Sequence, residues 1–204
     1  MWSQVDVDYF EQFYFENALQ YHNWGHIKNM FNYLDETQFP YDLNLAIAIA
    51  GHDCVYDNRP GKEFRSAILT AQVCEDTLLR FGAEVDVIKV CQLIMATERH
   101  LSDRYSDSVS AIVRADLHQL QYSKHKHQIE INFINILDEN IKLYPDTKEI
   151  DICKSGKEFI LQLISRVRSN VELDPKYKDF WIDVIDGLFY TIKLYDKRLV
   201  EIEK

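Results

Sequence analysis

The chain has 204 residues, 23 of them basic and 33 acidic, for a formal net charge of -10. That balance argues against general affinity for nucleic-acid backbones, which needs clustered Lys and Arg, and the length suits one domain over 1–204 with a sizeable core. Only six Gly and four Pro punctuate the chain, while apolar residues recur at three-to-four spacing, so an all-α protein is expected.

The N-terminal stretch MWSQVDVDYFEQ is acidic and mixed, without the basic start and apolar core of an export signal. Apolar periodicity then predicts helices near 6–19, 22–36, 42–54, 62–81, 85–98, 107–121, 125–143, 154–170 and 177–200. Pro40, the Pro60-Gly61 pair, Gly82, Pro145 and Pro175 fall between or at the ends of these segments, as chain breakers should. The least regular stretch, KLYPDTKEIDICKSGKE at 143–158, reads as a surface connector or a lid, and the helices beyond about 145 are expected to pack on the core. The most apolar run, LNLAIAIAG at 43–51, is far below the roughly 20 residues a membrane-spanning helix requires, so no membrane partner is expected. Cys54, Cys74, Cys91 and Cys153 are scattered without a CxxC pair, a usage that fits reduced thiols and a cytoplasmic location.

Four segments carry residues suited to chemistry. In ALQYHNWGHIKNMFNYL, His22 and His26 are four apart in a helical pattern, which stacks them on one face. In LAIAIAGHDCVYD an apolar helix delivers His52 and Asp53 side by side at its end, where burial is costly unless a partner compensates. Imidazole and carboxylate together suit divalent Mn, Fe, Co, Ni or Zn, and a bridging carboxylate can hold two ions. QLIMATERHL ends on His100, and SAIVRADLHQL places Asp116 after an apolar stripe. Around them, Asp57 and Glu63 are candidates for a second metal or for orienting water, although surface-turn and first-turn helix roles explain both as well. Lys62, Arg65 and Arg99 are candidate phosphate contacts. His118, His125 and His127 read as surface or core histidines, and Tyr21 or Tyr56 as an aromatic able to stack on a base.

The order His26, His52-Asp53, Asp116 resembles the H…HD…D pattern of the HD superfamily of metal-dependent phosphohydrolases. YHNWGHIKNM is similar to the YHNWxHAxxV signature of cyclic-nucleotide phosphodiesterases. HDCVYDNRPGKEFRSA, MATERH, RADLHQL and SGKEFILQLISR together look more like a small bacterial and phage family of predicted HD phosphohydrolases. The resemblance spans roughly residues 20 to 170. It implies an HD-domain helical bundle in which His26, His52, Asp53 and Asp116 ligate one ion and Asp53 bridges to a second. It also implies His22 as the general acid that protonates the leaving oxygen, after metal-activated water has attacked phosphorus. The cofactor would be one or two divalent ions, Mg included, and the substrate a small phosphate ester such as a nucleotide or cyclic nucleotide. The phosphodiesterases carry a further His soon after the HD pair, where this chain has Val55, Tyr56, Asp57 and Asn58. Alternatives on the same ligand order are an HD-type diiron oxygenase, with His100 as the added ligand, and a non-catalytic module that binds a nucleotide. A homo-oligomer is compatible with all three readings.

Overall fold

The computed structural model of the chain describes residues 9–17, 19–57, 59, 61–75 and 85–204. Among them no strand forms, and the regular elements are nine α-helices: α1 (Glu11–Asn17), α2 (Trp24–Glu36), α3 (Leu43–Gly51), α4 (Lys62–Val73), α5 (Val87–Arg99), α6 (Asp107–Leu117), α7 (Tyr122–Leu143), α8 (Glu149–Leu173) and α9 (Lys178–Ile202). Two 3-10 turns, His118–Leu120 and Pro175–Tyr177, follow α6 and α8. The expected all-α class holds. The predicted helical residues 6–8, 18 and 76–81, Gly82, Asn58 and Pro60 lie outside the described residues. None of the described helices is long and apolar enough to cross a membrane.

The most apolar segment becomes the central helix. From Leu45 to Gly51 every residue of α3 is buried, and α3 packs against α2, α4, α5 and α6. Its start is fixed by Asp42, whose side chain accepts from the Leu45 N–H at 2.9 Å and satisfies one of the free donors of the first turn. Each neighbour turns a stripe of apolar residues toward it: Ile27, Met30 and Leu34 from α2, Val90, Leu93 and Ile94 from α5, Ala111, Ile112 and Ala115 from α6. A helix apolar all round belongs inside, and the amphipathic ones around it cover it.

The C-terminal helices share this core, since Val167, Trp181, Val184 and Leu188 belong to the same buried cluster as Leu45 and Ile49. Two polar and steric devices set their docking. Arg114 of α6 pairs with Asp174, which also accepts from Trp181 Nε1, and its guanidinium lies 3.6 Å from the Tyr177 ring centre. Gly187 of α9 faces the Leu120 carbonyl so closely that a Cβ would collide with backbone there. The turn directly after Asp116 is therefore pressed against α9.

Two sequence expectations need correction. Residues 149–158 are not a connector but the first turns of α8. Glu149 and Asp151 favour a helix N-terminus there, and Ile152 and Cys153 bury with Leu137 and Tyr195. Gly156 sits within α8, and the Tyr195 ring occupies the space of its missing Cβ. The second correction is at the first histidine: α2 starts at Trp24, not at His22, because Asn23 caps it by accepting from the Gly25 N–H at 2.7 Å. His22 and His26 thus do not share a helix face.

Candidate metal centre

Three helix ends and the turn after one of them deliver the site. His26 lies in the first turn of α2, His52 is the residue that closes α3, Asp53 follows in the turn, and Asp116 comes from the last turn of α6. His26, His52 and Asp53 are buried, and each places one ligand atom within 4.8 Å of the others. Asp116 adjoins two of the three, with Oδ1 3.1 Å from His26 Nε2 and 3.8 Å from His52 Nε2. His52 Nε2 is 3.1 Å from Asp53 Oδ2.

The tautomer of His52 is set from behind. Its Nδ1–H donates to the Ile49 carbonyl at 2.9 Å, which directs Nε2 into the cluster. There Nε2 is buried and makes no aligned hydrogen bond. A buried polar atom left so is costly, and two imidazoles with two carboxylates around it form a donor set that suits a divalent ion. The His26, His52 and Asp53 cluster fits a metal ion by its chemistry as well as its spacing.

Without an ion the cluster is balanced by its own charges. Burial works against an imidazolium at His52, but the neighbouring Asp53 and then Asp116 outweigh it and raise its pKa to about 9. Burial likewise opposes ionisation of Asp53 and Asp116, yet the histidines hold both carboxyls well below the usual range, His52 for Asp53 and His100 and His26 for Asp116. The adjacent Cys54 thiol is pushed up to about 11 by burial, so it is no thiolate nucleophile.

His22 stands beside the cluster on a separate support. Its Nδ1 lies 2.7 Å from Glu139 Oε2, and Glu139 Oε1 accepts from the backbone N–H groups of Tyr21 and His22, the latter at 2.9 Å. One carboxylate from α7 thereby fixes both the backbone and the ring of His22. The opposite side of the ring system is aromatic: the His22 and Tyr56 rings stack with centres 3.7 Å apart. The Lys62 ammonium lies 3.4 Å from the same Tyr56 centre. Two groups so close to one ring centre must occupy opposite faces, so Lys62, Tyr56 and His22 form a three-layer stack. Tyr56 therefore has no free face for a base. Burial lowers the pKa of His22, opposed by Glu139, and lowers that of Lys62, opposed by Asp53.

Comparison with family models, with curated proteins and with solved structures finds no match to the chain. The site stands on its own geometry.

The remaining predicted residues fall in three places. His100 reaches the centre, its Nε2 3.5 Å from Asp116 Oδ2, the oxygen turned away from His26. Asp57 is clamped by two guanidiniums, Arg65 at 2.7 and 2.8 Å and Arg59 at 2.6 and 2.8 Å, which hold its carboxyl below the usual range and occupy Arg65 in return. Lys62 and Glu63 line a cavity of about 190 Å³ with Tyr56, Asn140 and Tyr144. Arg99 points elsewhere, into a separate groove with Cys91, Met95 and Leu173. His118 is buried behind the site and His127 is exposed.

Glu139 is the residue that sequence reasoning missed. The signal was present in the stripe of α7, where Ile129, Asn132 and Glu139 follow helical spacing into the interior. An acid at an inward position calls for a partner, but that partner is 117 residues away.

Proposed function

We propose that the protein is an HD-superfamily phosphohydrolase, which cleaves a small phosphate ester at a centre of one or two divalent ions held by His26, His52, Asp53 and Asp116. The observation that carries this reading is the meeting of His26 with the distant His52-Asp53 pair, which places three buried ligand atoms within 4.8 Å of one another. When bound, a divalent ion supplies a water acidic enough to ionise near neutrality and neutralises charge on phosphoryl oxygens. The protein's own groups do the rest. His22, with Nδ1–H held by Glu139, gives the Nε2 proton of its protonated form to the leaving oxygen, and the burial that lowers its pKa makes that form a stronger acid. Lys62, carried on Tyr56 and without a carboxylate partner at ion-pair distance among the described residues, offers its ammonium to the phosphate. A nucleotide is the substrate class, from the resemblance at YHNWGH.

His100 beside Asp116 favours a second reading, the HD-type diiron oxygenase, since it adds one more imidazole to the carboxylate end of the centre. The deciding experiment is elemental analysis of the purified protein, followed by a panel of linear and cyclic nucleotides assayed for phosphate or monoester release with Mn, Co, Mg and Fe. Phosphate ester turnover with a divalent ion is expected. Bound iron with oxygen uptake and no ester cleavage would replace the first reading with the second, and nucleotide binding without turnover would leave a binding module.

A further inference from the structure

The residue next to the centre with the least ordinary backbone is His100. It closes α5 with φ 51 and ψ 36, the left-handed region, and Gln38 is the only other described non-glycine residue with positive φ. Glycine is the usual choice for such a cap, because a Cβ makes the conformation costly. A histidine there needs something to hold it.

The hold comes from α8. Asn170 is fully buried, and its side-chain amide spans the turn: Nδ2 donates to the His100 carbonyl at 2.9 Å, while Oδ1 accepts from the Ser102 N–H at 2.8 Å. Both peptides that flank Leu101 are pinned by one side chain. Asn170 occupies an inward position of a stripe otherwise built of Leu163, Ile164 and Val167. Its amide is used at both ends on the His100 turn, and that turn directs the imidazole at Asp116.

The consequence lies in the two oxygens of Asp116. Oδ1 faces His26 and His52, and Oδ2 faces His100. A carboxylate with its two oxygens held toward different partners has a fixed rotation about its own axis, and that rotation decides which lone pairs a cation meets. We infer that Asn170 is a positioning residue for the metal centre: it holds the left-handed His100 turn, and through His100 it sets the orientation in which Asp116 presents Oδ1 to the His26 and His52 pole. The inference rests on the metal-centre reading. It extends the site to a helix, α8, that contributes no ligand.

The test is a double-variant cycle read by Co(II) binding and by the visible absorption of the Co(II) protein, which reports ligand geometry. Asn170→Asp keeps the acceptor for Ser102 and removes the donor to His100. It should weaken Co(II) binding about tenfold or more, the usual effect of losing an outer-shell partner, and change the spectrum. His100→Asn, whose side chain tolerates a left-handed cap, should show a similar loss. Adding Asn170→Asp to His100→Asn should cost little more. Should Asn170→Asp fail to give a helical circular dichroism spectrum, Asn170→Ser replaces it in the same cycle. Wild-type affinity and spectrum in the Asn170 variant overturn the inference alone, as does a full further loss in the His100→Asn background. A wild-type protein that takes up no Co(II) overturns the metal reading and the inference with it.

Discussion

His22 Nδ1 and Glu139 Oε2 lie 2.7 Å apart although 117 residues separate them. The same carboxylate accepts from the backbone N–H groups of Tyr21 and His22, so three donors converge on Glu139, which is almost wholly buried. Burial alone would raise its pKa, but the bond to and charge of His22, together with the Tyr21 and His22 backbone N–H groups, outweigh burial and leave it lowered. Glu139 is thus an anion that keeps a proton on His22 Nδ1, and an imidazolium is the form of His22 that it favours.

Glu139→Gln should therefore impair proton donation and leave the metal ligands alone. The Gln amide turns an N–H toward Nδ1 where the carboxylate accepted one. Turnover of esters with poor leaving groups should fall by about a hundredfold or more, with metal content unchanged by elemental analysis. Loss of metal in this variant would move Glu139 from orienting His22 to supporting the whole centre.

The role of His22 itself is separable from that of His26 by the leaving group. His22→Ala should retain metal and lose about a hundredfold or more on a nucleoside alkoxide, while a nitrophenyl ester, which needs little protonation, is largely spared. His26→Ala should lose metal and fail on both. Equal losses on the two substrates in His22→Ala would assign His22 to positioning.

Lys62 lies over the Tyr56 ring and makes no ion pair with a carboxylate among the described residues, so its charge is available to a bound anion. Lys62→Met should raise KM for a phosphate ester about tenfold or more, the range for a hydrogen bond to a charged group, at unchanged metal content. Lys62→Arg should recover part of it. An unaltered KM in Lys62→Met would remove Lys62 from the substrate site.

His118 makes a prediction that needs no substrate. Burial, only partly offset by its bond to the Ala115 carbonyl, lowers its pKa from 6.5 to about 4. The folded protein thus keeps His118 neutral where the unfolded chain binds a proton, so stability falls as pH drops from about 6.5 towards 4 and is unaffected above that window. The full shift corresponds to about 3 kcal/mol. In EDTA-treated protein, denaturant unfolding at about pH 7 and about pH 4 should show His118→Gln losing less stability between the two than wild type, by up to that amount. Parallel losses would mean that His118 is already protonated in the folded state.

Local chemistry was legible in the order of residues. The wholly apolar Leu45–Gly51 run and the His-Asp pair that ends it depend on neighbours within one or two turns, whereas the Asn23 cap that starts α2 at Trp24 was not read from the sequence. Periodicity could therefore reveal an all-α chain, and the residue types at His26, His52 and Asp53 could mark a cluster able to hold a metal ion. What it could not reveal was decided by contacts across long separations. The Glu139 carboxylate under His22, the Asn170 amide across the His100 turn and the Tyr195 ring against Gly156 each join residues far apart in the chain. In each case a helical pattern shows that a position faces inward but not which distant group meets it, because a helix's own hydrogen bonds fix its faces while only packing between helices fixes their neighbours.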